Sequence, residues 1–143
     1  MTQKKVRGFS PARQFAYASD KELGGVWFKL DDSDAEVLVA RFGNAEQVKV
    51  ERRLENEYSR KLKSDDDEVV TNARIEMNRK VYARTVLLGW KNILDEDGET
   101  ELKYSAEAAE QLLEYPEFFA MIYGFANDLA KFRKYAEDEA VKN

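Results

Sequence analysis

Apolar residues change rhythm several times along the chain, and each change marks an element. After the breaker Gly24-Gly25, Val26, Phe28 and Leu30 alternate with Trp27 and Lys29, a period of two that reads as a strand. Asp31-Asp32-Ser33-Asp34 makes a polar turn, and Ala35-Glu36-Val37-Leu38-Val39-Ala40 supplies a second β-branched run, so residues 26–40 predict a β-hairpin with a four-residue loop. Trp27 falls on the face opposite Val26, Phe28 and Leu30, so neither face is cleanly polar and the hairpin must pack on something. Past Gly43, the period becomes helical. Asn44 is a plausible N-cap, and Val50, Leu54, Tyr58 and Leu62 recur every four residues, predicting a helix near 44–62. Ser64 or Asp65 is placed to cap a second helix near 66–89, whose apolar line runs Val70, Ala73, Met77, Val81, Arg84 and Leu88 and whose expected stop is Gly89.

The stretch from Trp90 to Tyr104 loses this rhythm. Asp97-Gly98 is a turn dipeptide, and the segment reads as a loop or a short second hairpin. Ser105 caps a helix near 105–114, and Pro116 suits the first position of a last helix near 116–138. In that last helix Phe118, Ile122, Phe125, Leu129, Phe132 and Ala136 are spaced 4-3-4-3-4, a stripe that other helices or a partner must cover. The fold predicted is mainly α: a small N-terminal β-hairpin packed on a compact helical domain of about four helices. Residues 1–24 read as a flexible basic arm and residues 25–143 as one domain.

Composition narrows the chemistry more than the fold. At 143 residues the chain is close to one average domain of roughly 150. It has no cysteine and no histidine, which removes disulfides, thiolate and imidazole metal sites, cysteine nucleophiles and the Ser-His-Asp triad. The net charge of −5 is uneven: Lys4, Lys5, Arg7, Arg13 and Lys21 against Asp20 and Glu22 give the arm +3, leaving −8 on the remainder. An acidic body argues against nucleic acid as a partner. No apolar run approaches the ~20 residues of a membrane span, and no apolar core follows the N-terminal charges as a signal peptide requires. The expectation is a soluble protein of the cytoplasm with no cofactor.

Each candidate for metal or catalytic chemistry has a plainer structural reading. Counted from Asp95, an EF-hand loop would need glycine at its sixth position and glutamate at its twelfth, but Gly98 is fourth and Ala106 is twelfth. Asp97 with Glu101 and Lys103 imitates the carboxylate-and-lysine pattern of metal-dependent nucleases, but both carboxylates would come from one tight loop. No Gly-rich phosphate loop is present. Asp65-Asp66-Asp67-Glu68 opens a helix, where acids favour the dipole. The aromatic residues are numerous for so short a chain. Most are expected in the core, and some are expected to form an exposed groove for a partner; the candidates for that contact are Trp27, Trp90, Phe118, Phe119 and Tyr123.

Two blocks of sequence resemble the tail assembly chaperone-like proteins of tailed bacteriophages. The first is Gly25-Val26-Trp27-Phe28-Lys29-Leu30 followed by residues 35–44. The second runs Leu88-Gly89-Trp90-Lys91-Asn92-Ile93, the acidic Asp95-Glu96-Asp97-Gly98 turn, Tyr104-Ser105, Leu112-Leu113, Pro116-Glu117-Phe118 and Ala126-Asn127-Asp128 with Phe132-Arg133. The likeness spans about residues 25–135 and rests on core and turn residues, with no catalytic signature. It implies a non-enzymatic role in the host cell cytoplasm: binding the long helical tape measure protein, helping to recruit tail tube protein, and leaving before the tail is complete. A homo-oligomer is compatible with that role. Rival readings are a tail or head-tail component retained in the virion, a metal-dependent nuclease, and a small inhibitor of a host protein.

Overall fold

The computed structural model describes residues 6–14 and 24–142. The basic arm lies largely outside these residues; its described part includes a single helical turn, α1 (Pro11–Gln14). The hairpin forms as the alternation predicts. Strand β1 (Val26–Lys29) pairs antiparallel with β2 (Glu36–Val39) in the register Val26↔Val39, Phe28↔Val37. Gly25 makes the entry to β1 possible. Its φ is +75°, and a Cβ there would sit 3.1 Å from the backbone carbon and oxygen of Val39, so only glycine fits both the conformation and the space. The turn is held by its own polar groups: the Leu30 amide donates to the Ala35 carbonyl at 2.9 Å, and the Ser33 hydroxyl donates to the Leu30 carbonyl at 2.6 Å.

Helix α2 (Ala45–Glu57) breaks for one residue at Tyr58 and resumes as α3 (Ser59–Leu62); α4 (Asp67–Thr85) then runs back along it. Asp66 caps α4, its carboxylate accepting from the Glu68 amide at 3.0 Å, and Ser64 accepts from the Asp66 amide at 3.1 Å; the cap is therefore one residue later than the sequence pattern suggested. Val50, Leu54 and Val81 form the buried seam between the two arms, with Tyr58 and Met77 packed against it.

The larger correction concerns the end of α4. The sequence pattern carried this helix to Gly89, but it stops at Thr85 and the chain enters a third strand, β3 (Leu87–Lys91), paired antiparallel with β2. Two β-branched residues, Thr85 and Val86, lie at the switch. A two-stranded hairpin is marginal in water, and pairing Val37 with Trp90 and Val39 with Leu87 gives it the third strand that it needs. A bulge between Leu38 and Val39 lets Leu88 pass without a partner in the register. A single bridge, Leu94↔Glu101, follows β3 and closes the short second hairpin.

Helices α5 (Ala106–Leu112), α6 (Pro116–Ala126) and α7 (Leu129–Lys142) complete the fold. Ser105 caps α5 by accepting from the Ala108 amide, and Pro116 takes the first turn of α6, both as predicted. The predicted last helix is interrupted at Asn127-Asp128, where Asp128 accepts from the Lys131 amide at 3.2 Å and starts α7. The 4-3-4 stripe survives the break, and none of its residues is exposed. The inner face of the hairpin packs on it: the Phe28 ring stacks on Phe125 at 4.6 Å and meets Phe132 edge-on at 5.9 Å, with the Lys131 ammonium 4.3 Å above. The protein is mainly α with one small antiparallel sheet, the fold class that the sequence predicts. No helix among the described residues is long and apolar enough to cross a membrane.

Candidate functional site

One junction organises the surface of interest. Asn44, almost wholly buried, caps two helices at once. Its side-chain oxygen accepts from the Gln47 amide at 2.9 Å, starting α2, while its side-chain nitrogen donates to the carbonyls of Arg41 at 2.8 Å and Thr85 at 3.0 Å, closing α4. Gln47 returns the favour by accepting from the Gly43 amide at 2.7 Å, and its own nitrogen reaches Glu51 at 3.2 Å. The Phe42 amide donates to the Ala126 carbonyl at the end of α6, at 2.9 Å. This short run, Phe42 to Gln47, therefore ties α2, α4 and α6 together and fixes where the Phe42 ring sits.

That ring joins an aromatic cluster. Phe42 meets Tyr123 edge-on at 5.7 Å and Tyr82 at 6.4 Å, and Tyr82 lies 4.6 Å from Phe119. Tyr82 is buried, whereas Phe42 and Tyr123 remain 39% and 48% exposed. Burial raises the Tyr82 phenol above its ordinary pKa, and the neighbouring Tyr123 and Glu51 reinforce the shift. Next to the cluster a groove of about 280 Å³ opens between α4 and the α5–α6 turn, lined by Ile75, Asn78, Arg79, Leu113, Pro116 and Phe119 with Glu114 at its side. Ile75 is 45% exposed in it, and Arg79 meets Glu114 at 3.8 Å. Its volume falls just below the range of pockets that enclose small molecules. An open apolar trough of this size suits side chains projecting from a helix.

The residues that the sequence singled out for contact are dispersed. Phe119 and Tyr123, one turn apart on α6, both belong to the cluster. Phe118 is partly buried against the main core. Trp90 is buried, its indole donating to the Leu102 carbonyl at 2.7 Å and its ring meeting Tyr104 at 4.9 Å. Trp27 lies on the opposite face of the sheet from Trp90, half-buried under the Lys91 ammonium at 4.2 Å. Phe42, Ile75 and Tyr82 were not singled out. The signal was available for two of them: Ile75, Asn78, Arg79 and Tyr82 fall at i, i+3, i+4 and i+7 on α4.

The nuclease-like loop is occupied with its own structure. The Asp97 carboxylate accepts from the amides of Glu99 and Thr100 at 2.9 and 2.8 Å and from the Thr100 hydroxyl, which together lower its pKa. Among the described residues no three acidic side chains come together in a group that could hold a metal ion.

The model of a family described as YdaY prophage protein matches residues 42–143, well over half of the chain, and the matched part includes Phe42 and both walls of the groove. No curated protein and no solved structure matches.

Proposed function

From the premise that this chain belongs to the YdaY prophage protein family, and is therefore phage-derived, we propose that it is a non-enzymatic assembly chaperone for the phage tail, binding the tape measure protein and aiding assembly of the tail tube in the host cytoplasm. One observation carries the reading: large aromatic and aliphatic side chains stay about half exposed, Ile75 in the groove and Phe42 and Tyr123 in the aromatic cluster beside it. Leaving that surface in water has a cost of roughly 25 cal/mol per Å² relative to covering it, so a partner that covers it gains affinity. A helical client with an apolar stripe would lay that stripe between Ile75 and Phe119 and end it against Tyr123 and Phe42, the helix-in-groove mode. The client's stripe would be shielded from aggregation while the charged rim of the chaperone stays in water.

The test is co-expression with the phage's own tape measure protein, reading how much client stays soluble and co-purifies. Rescue by this protein, and not by an unrelated acidic helical protein, is the expected result. An equally insoluble client with nothing co-purifying would overturn the proposal, and detection of the protein in purified virions would favour a retained tail component instead.

A further inference from the structure

The net negative charge of the protein is concentrated in one segment of sequence that reaches the groove. Residues 95–117 carry nine acids against the single base Lys103, a net −8, whereas residues 25–94 and 118–143 each balance to zero. The acidic segment ends in the α5–α6 turn that forms one wall of the groove, and Glu114 lines that wall. Beyond the α4 wall of the groove, two more carboxylates stand on α2. Across Asn78, which borders both, a second shallow depression is lined by Glu51, Glu55 and Arg74 with Met77 and Val81. Arg79 lines the groove 3.8 Å from Glu114, whose side chain stays 62% exposed and is open to a second cation. Along the apolar trough and the depression beside it stand three carboxylates, Glu51, Glu55 and Glu114, and two bases, Arg74 and Arg79.

We propose that the segment captured here is a basic amphipathic helix of a partner protein, with an apolar face for Ile75, Pro116 and Phe119 and lysine or arginine on the flanks that meet Glu114 on one side and Glu51 and Glu55, beyond the α4 wall, on the other. This rests on the chaperone reading and specifies the chemistry of the client. Complementary rims would speed encounter and reject acidic helices, including acidic stretches of the chaperone's own kind. The apolar floor would supply the affinity that exposed charges alone do not.

Two labelled helical peptides with one apolar face, and with polar faces of lysine or of glutamate, would be titrated against the full chain by fluorescence anisotropy. The lysine peptide should bind at least about tenfold more tightly at low salt, with the preference shrinking as salt rises. Neutralising the rims with Glu55→Gln and Glu114→Gln should weaken it by about threefold per carboxylate, as for exposed ion pairs. The matched pair Asp31→Asn and Asp32→Asn, in the hairpin turn, should change nothing, and Ile75→Glu should weaken both peptides. Equal binding of the two peptides, or an equal loss in the turn variant, would overturn the proposal. So would tighter binding after Lys4→Glu, Lys5→Glu and Arg7→Glu, which would make the chain's own arm the occupant, or a groove-dependent dimer, which would make it a second copy. If the tape measure protein is kept soluble while the lysine peptide fails to bind, this inference falls and the chaperone reading stands; if both fail, both fall.

Discussion

Asn44 joins the hairpin exit, the start of α2 and the end of α4, so its replacement tests whether this junction is what holds the aromatic cluster in place. Asn44→Ala removes an N-cap, at a cost of about 1 kcal/mol. It also strips the donor from the Arg41 and Thr85 carbonyls, and Thr85 is buried, so an unsatisfied acceptor adds about 1–3 kcal/mol. The expected loss is about 2–4 kcal/mol, or roughly 6–12 °C in melting temperature at about 3 °C per kcal/mol for a chain of this length. Asn44→Asp is the sharper variant. As an isolated cap, aspartate equals asparagine, but here its second oxygen would face two carbonyl oxygens where the amide nitrogen now lies at 2.8 and 3.0 Å. It should destabilise at least as much as alanine. Urea denaturation followed by circular dichroism gives both values, with m unchanged. An Asn44→Asp protein within about 0.5 kcal/mol of the parent would show that Asn44 is only a cap and would refute the two-helix junction.

Other substitutions probe separate supports. Gly25→Ala, forced to a φ of +75° against the Val39 backbone, should cost about 1–3 kcal/mol, read as a lower urea midpoint. Trp90→Phe keeps an aromatic ring but leaves the Leu102 carbonyl without its donor; a loss of about 1–3 kcal/mol is expected, with faster hydrogen exchange in the loop before Tyr104. The raised pKa of Tyr82 favours the protonated folded state, so its contribution is complete below the unfolded value of 10.0 and is lost as pH climbs from there toward the folded pKa. Stability measured from pH 8 to 11 should therefore fall only above about 10, and less steeply in Tyr82→Phe.

The sequence was most legible where local chemistry and tertiary packing agree. The hairpin alternation, the Asn44 and Ser105 caps and the proline start of α6 are each decided within a few residues. The end of α4 was not, because Thr85 to Gly89 continues a helical apolar line and becomes a strand only when β2 is there to pair with it. Gly89, expected as a helix stop, instead faces Leu38 and Trp27 across the sheet, 3.6 Å from the Leu38 side chain to the position a Cβ would take. The break at Asn127-Asp128 was hidden for a different reason, since the stripe keeps its spacing through the interruption. Of the contact candidates, Phe119 and Tyr123 share the cluster because one helix carries them, whereas Phe42 and Tyr82 reach it through a junction that brings distant segments together. The resemblance to tail assembly chaperones and the prophage family match agree on phage origin.

The central claim is that the Ile75–Phe119–Tyr123 surface holds a helical client. It is tested most directly by Ile75→Glu and Tyr123→Glu, exposed positions where the fold should tolerate a charge, in co-purification with the tape measure protein. The account predicts that both variants melt within a few degrees of the parent, as surface substitutions do, yet lose most of the bound client. Unimpaired co-purification by both folded variants would contradict it.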